Sequence, residues 1–118
     1  MSLMNRLFGK TPAEQEGWID VPDLAAMLKD GTPPSVIDVR NPDEFTGPLG
    51  HIDGARNIPL PAFEGHIPEL ARQAGSVVLV CHTDRRSAMA ATALRKAGKQ
   101  QALVLRGGMT AWRAKLGY

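Results

Sequence analysis

One stretch in the second half of the chain constrains the fold more than any other. Ser76 to Val80 ends in the run Val77-Val78-Leu79-Val80, and the only cysteine, Cys81, follows at once. A short apolar, β-branched run without polar alternation reads as a strand buried on both faces, the condition of a central strand in a parallel sheet. Ser87 to Ala97 then reads as a helix ending at Gly98. Its alanines (Ala88, Ala90, Ala91, Ala93), with Met89 and Leu94, predict close packing against that sheet. A buried strand, a six-residue loop over 81–86 and a helix predict an α/β fold with a mainly parallel sheet.

The rest of the chain fits that frame. Its 118 residues make one domain. Residues 1–13 read as a tail, with Gly9, Thr11 and Pro12 as breakers, and residues 14–118 as the domain. Asp20 is the expected N-cap of a helix through Leu28, with Pro22 in its first turn and Gly31 just past its end. Ser35 to Val39 and Ala102 to Leu105 are expected strands, and Ala55 to Ile58 a short one. Asn41 to Phe45 and Ile67 to Gln73 are expected short helices, and Met109 to Leu116 a final one. Residues 46–66, rich in Gly, Pro and His, are otherwise expected to be irregular.

Composition excludes several classes of function. The longest apolar run falls far short of the roughly 18–20 residues that span a bilayer, and no apolar core of a signal peptide follows Arg6. One cysteine forbids an internal disulfide, and three scattered histidines beside it do not make a zinc site. The expectation is a soluble protein of a reducing compartment, the cytoplasm, with no membrane partner. The charge is lopsided: residues 1–70 hold 5 basic and 11 acidic side chains, whereas residues 71–118 hold 9 basic and one acidic, Asp84. That excess forms either a solvated basic face or a field that attracts anions to the C-terminal part. No basic run interleaves with aromatics, so nucleic acid is not an expected partner.

Ligands of open α/β sheets bind beyond the carboxyl ends of the strands. Three such ends carry polar residues: Asp38 and Arg40, then Cys81 to Ser87, then Arg106-Gly107-Gly108. The loop after Cys81 must curl over its own helix N-terminus, which can aim several N–H groups at one sulfur. The helix dipole, Arg85 and Arg86 add positive potential, which favours thiolate over thiol. A thiolate among amides is a nucleophile with its own anion site. His82 reads as a wall of the pocket, His51 and His66 as loop residues bonded to backbone, and Met109 and Trp112 as core.

These residues resemble a known family, the single-domain rhodaneses, which are sulfurtransferases. Ile37-Asp38-Val39-Arg40-Asn41-Pro42-Asp43-Glu44-Phe45 with Gly50-His51-Ile52-Asp53-Gly54-Ala55-Arg56-Asn57-Ile58-Pro59-Leu60 is similar to the first signature of that family. Val80-Cys81-His82-Thr83-Asp84-Arg85-Arg86-Ser87 resembles its active-site loop, and Leu105-Arg106-Gly107-Gly108-Met109-Thr110-Ala111-Trp112 its closing signature. The resemblance implies a five-stranded parallel core flanked by helices on both faces. It implies Cys81 as the nucleophile that carries sulfur as a persulfide. It further implies that His82, Thr83, Asp84, Arg85 and Arg86 form the substrate-binding loop, that Arg86 and Ser87 anchor it, and that Asp38 and Arg40 buttress it, with Arg40 near Glu44. The donor would be a small sulfur anion such as thiosulfate, the acceptor cyanide or a thiol, and a further partner a sulfur-relay protein. No metal or organic cofactor is implied.

Asp84 departs from the pattern, because the family commonly has glycine there. Its carboxylate either faces the pocket, where it would repel an anionic donor, or leans outward toward Arg85. Two other functions share the fold. A phosphatase or arsenate reductase of this kind has a loop one residue longer, whereas Cys81 and Arg86 enclose four residues here. A non-catalytic protein-binding module would have no need of the cysteine.

Overall fold

The computed structural model describes residues 17–117, so the expected tail over residues 1–13 lies outside the described residues. The strands are β1 (Trp18–Ile19), β2 (Ser35–Asp38), β3 (Arg56–Asn57), β4 (Val77–Val80) and β5 (Ala102–Leu105). The helices are α1 (Val21–Leu28), α2 (Pro42–Phe45), α3 (Leu60–Phe63), α4 (Ile67–Arg72), α5 (Arg85–Lys96) and α6 (Gly108–Leu116), with a 3₁₀ turn at Glu64–His66. The strands form one sheet in the order β1-β5-β4-β2-β3, and every pairing is parallel.

The sheet explains the apolar run. β4 is the middle strand, paired with β2 on one side and β5 on the other. Alternate side chains therefore enter two cores. Val77, Leu79 and Cys81 pack with Ala90, Ala91 and Leu94 of α5, whereas Val78 and Val80 pack with Leu24 of α1 and Met109 and Trp112 of α6. Helices thus cover both faces. The strand ends of β2, β4 and β5 lie side by side, so the three polar segments expected from the sequence meet at one edge.

Several boundaries differ from the expectations. The edge strand β1 was not anticipated. Helix α3 and the 3₁₀ turn stand in a stretch expected to be irregular: Pro59 and Pro61 open α3 rather than break it, and Phe63 is buried as its anchor. Helix α5 begins at Arg85, two residues before the expected start, because both arginines are good helix formers. Met89 does not pack against the sheet. It is 56% exposed and points away from the alanine face. His66 bonds to the carboxylate of Glu69 and to Arg56, not to backbone. Asp20 occupies the N-cap of α1 without capping it, and its carboxylate accepts from Arg106 instead.

Candidate active site

Cys81 leaves β4 on the α5 side of the sheet and is 1% exposed. It lies at the floor of an open bowl of about 420 Å³ walled by His82, Thr83, Arg85 and Arg86. The opposite side of the loop is tied to α6. The N–H of Met109 donates to the carbonyl of Cys81 at 2.9 Å, and that of Thr110 to the carbonyl of His82 at 3.1 Å. In a planar trans peptide the carbonyl and the next N–H point in opposite directions. Tying these carbonyls to α6 therefore turns the N–H groups of His82 and Thr83 toward the cysteine side. The first N–H groups of α5 have no partner within their own helix and add to the donors there.

Ser87, fully buried, stands 3.2 Å from the Cys81 sulfur through its hydroxyl, which also lies 3.0 Å from the carbonyl of Asp84. One hydroxyl proton serves one of these at a time. A thiol donates to Ser87 Oγ while Ser87 donates to Asp84; a thiolate draws the hydroxyl proton to itself.

Arg86 does not open into the bowl with its whole guanidinium. Both terminal nitrogens donate to the carboxylate of Glu44, at 2.7 and 3.0 Å. That fork, opposed by partial burial and aided by the N–H of Asn41, holds the Glu44 carboxyl down at about 2, and raises Arg86 above its ordinary value. Asp38 and Arg40 form a buried pair, each 1% exposed, with Arg40 Nη2 donating to Asp38 at 2.8 Å. Arg40 also donates to the carbonyls of Glu44 at 3.1 Å and Gly50 at 2.7 Å. The pair therefore reaches the sulfur loop through Glu44.

The family model of the rhodanese-like domain matches residues 20–115. The chain belongs to the rhodanese-like domain family. The uncharacterized protein YqhL of Bacillus subtilis is 44% identical over 81 residues, 69% of this chain and 62% of that one. The probable adenylyltransferase/sulfurtransferase MoeZ of Mycobacterium tuberculosis is 39% identical over 107 residues, 86% of this chain but 24% of that one. The rhodanese-like chain thus spans less than two thirds of either relative. The human single-domain sulfurtransferase TSTD1 superposes with a TM-score of 0.71 at 23% identity, covering 84% of this chain and 96% of that one, a likeness of fold.

Two features of the rhodanese-like loop differ from what the residues predicted. Asp84 neither faces the bowl nor pairs with Arg85. Its Oδ1 accepts the N–H of Gly107, at the start of α6, at 2.7 Å. Glu44, singled out only as a neighbour of Arg40, is the partner of Arg86. The signal for it was present, since an acid three residues after Asn41 is the pattern of a helix start, and Glu44 Oε1 does accept the Asn41 N–H at 3.1 Å. Among the described residues no cluster of His, Cys, Asp or Glu converges to hold a metal ion, and no helix is long and apolar enough to cross a membrane.

Proposed function

We propose that this rhodanese-like protein is a sulfurtransferase whose carrier is Cys81. The Cys81 thiolate attacks the outer sulfur of thiosulfate or of another persulfide. The bond within the donor breaks, sulfite or a thiolate leaves with its electron pair, and Cys81 holds a persulfide. Cyanide or a thiol then takes the outer sulfur, yielding thiocyanate or a new persulfide, and the Cys81 thiolate returns. The persulfide anion is held by the N–H groups of the loop and by the Ser87 hydroxyl.

The observation that carries this reading is the tie of the loop carbonyls to α6, which turns the N–H groups of His82 and Thr83 to the side of the buried Cys81 sulfur. His82, Thr83 and Arg85 frame the mouth, Arg86 and Ser87 hold the helix start, and Asp38 and Arg40 support both through Glu44. The same observations count against phosphatase chemistry. Cys81 and Arg86 enclose four residues, one fewer than in the phosphatases of this fold, and Arg86 commits two of its five N–H donors to Glu44. The membership of sulfurtransferase-related chains in this family supports a sulfur-relay protein as a further donor or acceptor.

The test is the mass of the intact protein after exposure to thiosulfate. A gain of one sulfur atom, removed by cyanide, is expected for the wild type. Cys81→Ser should gain nothing and keep its fold, because a hydroxyl of similar size fills the site but does not ionise near neutral pH. Sulfur transfer persisting in that variant, above a few per cent, would rule out Cys81 as the carrier.

A further inference from the structure

Helix α5 leads away from the mouth of the bowl, and one stripe of it faces solvent. Arg85, Met89, Thr92 and Lys96 are all exposed and recur at spacings of four, three and four, so they lie in a line along the helix. The line begins at Arg85 on the rim of the bowl and runs about 16 Å to Lys96. Met89, one turn from the rim, is the only large apolar side chain exposed among the described residues. Two shallow hollows flank it: one over Ala88, Thr92 and Ala93, the other against Leu60, Phe63, Glu64 and Ile67, where Glu64 sets one carboxylate against the two cations of the line. The ends of the line are cations, and neither Arg85 nor Lys96 forms an ion pair among the described residues. An exposed, adaptable methionine between two unpaired cations does nothing for the interior of this domain. It has the composition of a contact surface.

We infer that this stripe docks the polypeptide that exchanges sulfur with Cys81: a segment bearing a thiol or persulfide, followed by an apolar residue between two acidic ones. The inference rests on the sulfur-transfer reading of the bowl. The sulfur of Cys81 is buried, so a protein partner must bring its own sulfur over the rim, and the α5 stripe continues that rim. Charge fixes the chemistry of the occupant, because a basic segment would meet Arg85 and Lys96 with like charge. Length fixes the spacing. An extended chain advances about 3.3 Å per residue, so acids about five positions apart span the two cations, with the apolar residue two positions after the first.

The peptide Cys-Glu-Gly-Leu-Ser-Gly-Glu is a direct probe. As acceptor from the loaded enzyme it should show kcat/KM about tenfold above the same peptide with lysines for glutamates or serine for leucine, and the advantage should fade with salt. Met89→Glu should lose about tenfold and Lys96→Glu about fivefold toward the peptide, with thiosulfate–dithiothreitol turnover unchanged. Equal rates for the acidic and basic peptides, or no effect of either substitution, would overturn the inference. A labelled peptide with serine for cysteine, followed by fluorescence anisotropy, separates docking from chemistry. Binding lost in Met89→Glu supports the stripe even if no sulfur moves; active enzyme that binds acidic and basic peptides alike refutes it. A dimer in solution that Met89→Glu converts to monomer would assign the stripe to a second copy and also overturn the inference.

Discussion

Asp84 can act on either side of the sulfur loop, and its carboxylate is turned to the outer one. There it bonds to the N–H of Gly107, a residue with positive φ and no side chain of its own to hold the start of α6. A carboxylate at that helix N-terminus also meets the positive end of the dipole. Asparagine offers the same acceptor oxygen; glycine offers none. Asp84→Asn should therefore keep kcat for thiosulfate near the wild-type value, whereas Asp84→Gly should lower it several-fold. The Gly107 amide should exchange about tenfold faster or more in Asp84→Gly, since hydrogen bonds to charged groups contribute about 1.5–3 kcal/mol. Amide exchange followed by NMR, beside steady-state kinetics, reads both. Faster thiosulfate turnover in the glycine variant would mean that the carboxylate restrains the donor instead. At this scale the sequence was half legible. The place of Cys81 at the foot of the loop was readable because a buried strand before it and a helix after it are both marked in the sequence. The role of Asp84 was not, because its partner lies 23 residues further on and no linear spacing encodes that meeting.

Between elements, α6 approaches the sulfur loop with no room for a side chain at Gly108. A Cβ on Gly108 would lie 2.3 Å from the carbonyl oxygen of Cys81, 2.5 Å from that of Thr83 and 2.7 Å from that of His82, at a φ of +54°. All three are backbone atoms of the loop that must stay in place, so none can yield as a flexible side chain would. Gly108→Ala should cost roughly 2 kcal/mol or more of stability and most of the activity. Denaturant unfolding and thiocyanate formation, measured on one preparation, check this. An alanine variant with native stability and turnover would show that the two elements can part without loss. The legible elements are α1, α5, α6 and the three central strands, long enough to carry a pattern, together with the short β3, α2 and α4. The two-residue β1 and four-residue α3 carry no period at all, and α3 begins with prolines that equally well mark a turn.

Across the whole molecule, acid stability should follow the carboxylates that are held ionised. Arg86 keeps Glu44 at about 2, below its ordinary 4.5, and the exposed Glu69 is held at about 2 by Arg56 and His66. A carboxyl depressed on folding stabilises fully above its unfolded value and loses that contribution as pH falls toward the folded one. The stability gap between wild type and Glu44→Gln should thus be constant above about pH 5 and close toward about pH 2. Urea unfolding across that range measures it, and a gap that widened on acidification would contradict the assignment. The parallel class of the sheet was legible from β4, but its order was not, because pairing depends on packing between distant segments. The burial of Cys81 has one more consequence. A cofactor on a long arm can ferry its cargo between sites; in the proposed reaction the cargo would stand one sulfur–sulfur bond, about 2 Å, beyond the Cys81 sulfur. On the proposed reaction, delivery would be by visit, and a buried carrier of this kind would hand sulfur only to callers that reach the bowl themselves.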